Sequence, residues 1–352
     1  MKFSTSLPLL RDLSSRDPYR ETFMLANVAE EAGFDTLTIG QHHFRQGDPA
    51  DPLTIMGSVA TRTSRIRVGT GIFILPMHDP LQVAEQVATI DQLSGGRISL
   101  GVGTGWNPFE YEALGVPFKE RGARMAEALK ILKRVWREEN TSFDGRFFKF
   151  PELTVHPRPV QKPNPPLWVA GIKESSVRRA AELGDAWLCG PVESLDDAKR
   201  MLVWYRDACG QLEKKPEWIL RRFGWIKRTR KEVEEHVLPL YVKGLLAHWT
   251  ESGRAPGLRA PDTAALIARL EAGETLSPSE IARNRLIWGS PDDAIEQIQQ
   301  FRDETGADHI HVAFGTGLPA EGVNQSSLGD YKELAAMIQL YGREVISAFK
   351  RA

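Results

Sequence analysis

The stretch Ile66–Val102 reads IRVGTGIFIL-PMHD-PLQVAEQVATIDQL-SGGR-ISLGV, and its alternation decides the fold. Ile66–Leu75 is β-branched and glycine-spaced, Pro80–Leu93 has helical spacing, Ser94-Gly95-Gly96 makes a turn, and Ile98–Val102 is apolar again. A strand that passes through one helix into a second strand calls for parallel pairing by a right-handed crossover. Upstream, Phe3–Leu7 reads as a strand, Tyr19–Ala32 as a helix stopped by Gly33, Thr36–Ile39 as a strand, and Pro52 to about Thr63 as a helix. Downstream, Glu120–Glu138 is helical, with Met125, Leu129, Leu132, Val135 and Trp136 on one face. Strands at Leu167–Ala170 and Ala186–Cys189 flank a helix at Ser175–Leu183. A helix at Ser194–Leu212, a strand at Trp218–Lys227, a helix at Pro291–Thr305, a strand at His309–Phe314 and a helix at Tyr331–Lys350 complete the pattern.

Eight strands, each trailed by a helix, predict an α/β protein: a (β/α)8 TIM barrel with insertions, a doubly wound open sheet being the other closure that fits. Residues 1–352 read as one domain with two excursions. The first, 141–166, carries Asp144-Gly145 as a two-residue hairpin signal and then a stiff connector, His156–Pro166, with five prolines. The second and largest, 230–284, lies between strand seven and its helix.

Composition narrows the function. Lys+Arg number 45 against 46 Asp+Glu, so no global field draws polyanions, and no basic run marks a nucleic-acid or anionic-membrane partner. No apolar run reaches membrane-spanning length and the N-terminus lacks a signal-peptide core, which predicts a soluble, cytoplasmic protein. Cys189 and Cys209 read as buried free thiols, too few for a disulfide framework or a thiolate metal site.

In such a barrel function gathers at the carboxyl ends of the strands. There the sequence places Gln41-His42-His43-Phe44, Leu75-Pro76-Met77-His78, Gly103-Thr104-Gly105-Trp106-Asn107, Gly171 with Ser175-Ser176, and Phe314-Gly315-Thr316-Gly317. Adjacent histidines leave a strand in opposite directions, and no third ligand completes a zinc triad, so His42 reads as a proton donor or acceptor or as a packing residue. The glycines of Gly101–Gly105 read as space for a flat ring, or as a plain turn. Ser175-Ser176 reads as a helix cap or an anion site. Arg222 aims into the mouth or pairs with a carboxylate, while His309 and His311 share a strand face and read as core or rim residues. Phe44, Met77, Trp106 and Trp225 are apolar pocket or core.

Together these residues resemble the luciferase-like monooxygenase superfamily over nearly the whole chain outside 230–284. The resemblance is carried by Gly33-Phe34-Asp35, by Gln41-His42-His43-Phe44, and most specifically by Val68-Gly69-Thr70 through Asp91-Gln92-Leu93-Ser94-Gly95-Gly96-Arg97. Trp288-Gly289-Ser290-Pro291 leading to His309–Phe314 adds the last helix and strand. It implies reduced FMN across the barrel mouth, with Thr70, Gly71 and Ile72 (and a non-proline cis peptide near them) along the ring. Thr104, Gly105, Gly171, Ser175 and Ser176 complete the cofactor set, with Thr104 and the serines at the phosphate, and His42 manages the proton. His43, Phe44, Met77, Trp106, Asn107 and Arg222 would face substrate, with 230–284 as a lid. The implied activity is an FMN-dependent two-component monooxygenase, using O2, a small organic substrate and a separate flavin reductase, as a homodimer.

The chain also departs from the pattern. Gln41 replaces an acidic residue, Gly103 and Thr104 replace a cysteine and an arginine, and Arg222 and Gly224 stand where sulfonate-cleaving members keep an arginine and a histidine. Trp106 through Arg121 equally resembles members that use the deazaflavin F-420 and transfer hydride. A catalytically idle flavin-binding subunit is the third reading.

Overall fold

The computed structural model describes residues 1–10, 14, 16–45, 48–250, 260–314 and 330–350, with backbone alone at 248 and 250. In chain order the elements begin with β1 (Lys2–Ser6), α1 (Arg20–Glu31), β2 (Thr36–Ile39), α2 (Pro52–Ala60), β3 (Arg67–Thr70), α3 (Pro80–Ser94) and β4 (Ile98–Val102). They continue with α4 (Pro108–Ala113), α5 (Arg121–Arg137), the hairpin β5 (Thr141–Asp144) and β6 (Lys149–Leu153), β7 (Leu167–Ala170), α6 (Glu174–Leu183) and β8 (Ala186–Leu188). Then come α7 (Leu195–Gln211), β9 (Trp218–Ile226), α8 (Arg230–His236), α9 (Leu238–Thr250), α10 (Pro261–Glu271) and α11 (Pro278–Ala282). The chain closes with β10 (Leu286–Gly289), α12 (Pro291–Thr305), β11 (His309–Ala313) and α13 (Tyr331–Leu340), which runs through a π-helical turn at Tyr341–Ile346 to α14 (Ser347–Lys350).

The strand order is β10-β9-β11-β1-β2-β3-β4-β7-β8 with a further β9–β8 pairing, so eight parallel strands with helices between them form a closed (β/α)8 barrel. The ninth, β10, pairs with Phe223–Ile226 of β9 and is a strand the sequence reading did not place. By compactness the chain divides into one unit of Met1–Leu37, Cys189–Arg206 and Trp218–Ala352, and another of Thr38–Leu188 with Asp207–Glu217.

Five helices start on the same chemistry: Asp51-Pro52, Asp79-Pro80, Asn107-Pro108, Ser277-Pro278 and Ser290-Pro291 each put a capping side chain before a proline in the first turn. The cap oxygen accepts an orphan backbone N–H, and proline is preset to helical φ with no N–H to satisfy. Gly95 and Gly306 end α3 and α12 at φ 65° and 70°, a conformation glycine adopts without steric cost.

In the second unit the amino ends of β3 and β4 are knitted by polar groups with full complements of partners. Arg97 donates to the carbonyls of Ala60 at 2.7 Å, Ile66 at 2.8 Å and Ser94 at 2.8 Å. Asp91, fully buried, accepts the backbone and side-chain N–H groups of Gln161 at 2.9 and 2.7 Å. Arg67 bonds Gln161 Oε1 at 2.8 Å and the Ile98 carbonyl at 2.7 Å. The Asp91–Arg97 end of the motif that most specifically carried the family resemblance is therefore part of a structural foot.

Two local expectations change. Asp144-Gly145 does begin a hairpin turn, but the loop spans 145–148, four residues rather than two. The Glu127 carboxylate sets that loop by accepting the N–H groups of Arg146, Phe147 and Phe148 at 2.9, 2.9 and 3.3 Å. The run Ile66–Leu75 is regular strand only to Thr70; a cis peptide joins Gly71 to Ile72, and Leu75–Met77 forms a 3-10 turn.

In the first unit the excursion is pinned to its own neighbours. Asp197, buried at the start of α7, accepts the N–H groups of Asp262 and Thr263 at 3.1 and 3.3 Å, and Arg285 bonds Asp262 at 2.7 Å. Residues 251–259 of the expected lid, and Gly315, Thr316 and Gly317 of the expected rim, lie outside the described residues.

Candidate active site

The carboxyl ends of β2, β3, β4 and β7 all belong to the second unit, and most of the residues singled out from sequence gather there. Asn107 caps α4 by accepting the Phe109 N–H at 3.1 Å, and Pro108 fixes the first turn, which places Glu110 at the third helical position. Glu110 is 1% exposed, and its Oε1 lies 3.3 Å from Nδ1 of His42, whose side chain is 29% exposed. A carboxylate on Nδ1 favours the proton there and leaves Nε2 as the nitrogen that exchanges a proton. The Trp106 ring meets His42 edge-on at 6.1 Å. The next residue, Tyr111, donates its O–H to the Thr104 carbonyl at 2.5 Å and so ties the β4 loop to α4; burial holds its phenol well above the ordinary range.

Glu110 was not among the residues the sequence picked out. The signal was present: Asn107-Pro108 starts a helix one residue after Trp106, so Glu110 falls in its first turn. The acid missing at position 41 reaches the histidine from α4 instead.

Gln41 is buried and meets the other rim histidines. Its amide nitrogen lies 3.2 Å from Nε2 of His43, 3.2 Å from Nε2 of His78 and 2.9 Å from the Ala50 carbonyl, while its oxygen accepts the Ile74 N–H at 2.7 Å. His78 stacks on Phe73 at 4.2 Å, and burial lowers it to about 4. His43 is lowered as well, chiefly by burial. Phe44 has φ 59° and is 61% exposed, edge-on to Phe109, itself 60% exposed.

The cofactor candidates divide. Ile72, Thr104, Gly105 and Gly171 are part-exposed and Ser175 is exposed, as are, in part, the substrate-pocket candidates Met77 and Trp106. Thr70 and Gly71 are buried: the Thr70 hydroxyl donates to the Gly101 carbonyl at 2.7 Å, and the Gly71 N–H to Ile39 at 2.8 Å. A Cβ on Gly101 would stand 2.0 Å from the Thr70 oxygen, and one on Gly103 2.9 Å from Ile72. These glycines admit the neighbouring strand, and Gly105, at φ 63°, makes a turn, so the plain reading of this run replaces the flat-ring one. Ser176 is a cap: its hydroxyl donates to the Lys173 carbonyl at 2.7 Å and accepts the Lys173 N–H at 3.1 Å. Helix α6 accordingly starts at Glu174, and a Cβ on Gly171 would meet the Ser176 hydroxyl at 2.6 Å.

Arg222 corrects an expectation. It lies in the first unit, is 0% exposed, donates to the Arg221 carbonyl at 2.7 Å and sits over the Phe301 ring at 5.4 Å. Alternation along β9 turns it toward α12, so it presents no atom to a mouth, while Arg221 takes the opposite face in register with His311. His311 is a buried core residue, while His309, part-exposed at the amino end of β11, bonds Ser4; burial is the main cause that lowers them, His309 to about 3. Cys189 and Cys209 are buried and not joined in a disulfide, with Cys189 raised to about 12 by burial. Among the described residues no cluster of three or more His, Cys, Asp or Glu could hold a metal, and no helix is long and apolar enough to cross a membrane.

Residues 1–309 match the family described as luciferase-like monooxygenase. A flavin-dependent trigonelline monooxygenase, oxygenase component, from Acinetobacter baylyi is 26% identical over 333 residues, 91% of each chain. The fold is shared with the oxygenating constituent of 3,6-diketocamphane monooxygenase from Pseudomonas putida in complex with FMN (TM-score 0.75, 20% identity, 98% of each chain). It is shared equally with the coenzyme F-420-dependent tetrahydromethanopterin reductase of Methanopyrus kandleri (TM-score 0.75, 18% identity, 99% of each chain).

Proposed function

Because this chain belongs to the luciferase-like monooxygenase family, we propose that it is the oxygenase of a two-component, FMN-dependent system acting on a small organic substrate. The observation that carries the reading is the His42–Glu110 pair at the carboxyl ends of the strands, a solvent-reached imidazole set on a buried carboxylate. The donor set suits a flat, largely neutral redox ring with an anionic tail: the backbone at Ile72, the Thr104 and Ser175 hydroxyls, and the amides at the start of α6. Reduced flavin, supplied by a separate reductase, would bring the chemistry that activates O2. His42 holds or releases a proton at Nε2 while Glu110 steadies Nδ1. Trp106, Phe44 and Met77 form the apolar wall that receives substrate and excludes water from it. Asn107, whose side chain caps α4, and His43, bound to Gln41, shape that wall rather than contact substrate. We place the protein in the cytoplasm as a homodimer of single-domain chains.

A second reading, hydride transfer with F-420, is favoured by the Trp106–Arg121 stretch, because that stretch supplies Glu110 to His42. Dissociation constants for FMN and F-420, measured side by side, separate the two. Tighter binding of F-420, with no oxygen-dependent turnover, would replace the first reading by the second. The idle-subunit reading predicts that His42→Ala changes nothing.

A further inference from the structure

The three histidines at this rim divide by the group each one faces. The Ile74 N–H can only donate, so the atom of Gln41 that meets it at 2.7 Å is the oxygen. The Gln41 nitrogen must then point the other way, toward the Ala50 carbonyl and the Nε2 atoms of His43 and His78. An amide nitrogen has hydrogens and no lone pair to offer, so an imidazole nitrogen beside it has to be unprotonated. Turning the amide over would set N–H against N–H at Ile74; protonating either ring would do the same at Gln41. Two amide hydrogens face three acceptors, the Ala50 carbonyl at 2.9 Å and the two Nε2 atoms at 3.2 Å each.

We infer that Gln41 is a directional lock: pinned to Ile74, it holds His43 and His78 as neutral imidazoles protonated on Nδ1 and leaves His42, on Glu110, as the rim histidine free to take up a proton. Gln41 is thus a positioning residue, and this role rests on the acid–base role proposed for His42. The charged and titratable groups facing these rings agree with it. His43 faces Glu110, His42 and Asp51; His78 faces His43 and Asp51. Glu110 is engaged by His42, and Asp51 caps α2 at Thr54, accepting its N–H at 3.2 Å and its hydroxyl at 2.5 Å. Gln41 is the side chain that touches both rings, and burial acts in the same direction. A carboxylate at position 41 would reverse the lock, since it would accept from protonated rings.

The test is an NMR titration of the histidine ring signals of the full chain, assigned with His43→Asn and His78→Asn. In the unsubstituted protein both rings should titrate below the ordinary value of 6.5, His78 near 4. Gln41→Glu should raise both by a unit or more, which is at least about tenfold in protonation constant. Gln41→Met, which removes the amide without adding charge, should raise them by less. Once turnover is measured, Gln41→Glu should add an ionisation to the rate profile that the parent lacks. Either ring titrating at or above 6.5 in the parent, or both unmoved by Gln41→Glu, overturns the lock. Low-titrating rings in a protein that turns over no flavin would uphold the lock and remove the proposed function instead.

Discussion

The two ends of β3 and β4 come from one short piece of sequence and do opposite things. At the foot, buried Asp91 and part-buried Arg67, Arg97 and Gln161 meet partners at 2.7 to 2.9 Å. At the rim, His42 is part-exposed and holds one carboxylate at 3.3 Å, Thr104 is part-exposed and Ser175 exposed, and Phe44 and Phe109 stand more than half exposed. Satisfied networks rigidify; groups left with capacity to bind are where chemistry can happen. The difference teaches that the Asp91–Arg97 end of the stretch most diagnostic of the family serves its architecture, and that the chemistry must be read from its Gly71–His78 end and the rim beside it.

Substitutions at the two ends should therefore separate activity from stability. The largest effect belongs to His42→Ala: a loss of turnover of about 10²- to 10⁴-fold, with an unchanged melting temperature. A variant that loses stability but keeps its rate would put His42 with the foot. Next is Arg97→Ala, which strands carbonyls of Ala60, Ile66 and Ser94 and should cost about 3 kcal/mol of stability. Denaturant unfolding reads it, and the folded remainder should turn over normally. Glu110→Gln keeps the shape of the acid and removes its charge; a drop of about tenfold in kcat with little change in KM is expected, and an unaltered kcat would make Glu110 a packing residue.

The smallest effect is on acid stability. His78 is held near 4 in the folded chain against 6.5 when free, so between those values the unfolded chain binds a proton that the folded ring refuses. Stability contributed by the neutral ring is complete above 6.5 and falls as pH drops toward 4. Melting temperatures at pH 7 and pH 5 should differ less in His78→Gln than in the parent.

The barrel was legible because its signals are local. Asp51-Pro52, Asp79-Pro80 and Ser290-Pro291 mark helix starts by chemistry that needs no tertiary partner, and runs such as Ile98–Val102, buried on both faces, suit a parallel sheet under helices. The strand β10 was not legible, because it exists by pairing with the far half of β9, a long-range contact that Leu286–Gly289 does not announce. At the site, His42 could be read from its place after a strand. Its carboxylate could not, since 68 positions separate it from Glu110 and only the fold closes that gap. Arg221 and Arg222 are chemically identical neighbours on one strand, and register with β11 alone decides which face each takes. The glycines of Gly101–Gly105 misled for a related reason: strand-to-strand contact and ligand space look the same in sequence.

The proposed function requires the rim of the second unit to be a redox-cofactor site organised around His42. Anaerobic titration of the purified protein with reduced FMN addresses this most directly, with F-420 in a parallel cell. Saturable binding of reduced FMN, retained in Arg97→Ala and weakened in Thr104→Glu, which sets a carboxylate where the phosphate is proposed to lie, is the predicted result. No binding of either compound, or binding indifferent to the rim substitution, would contradict it.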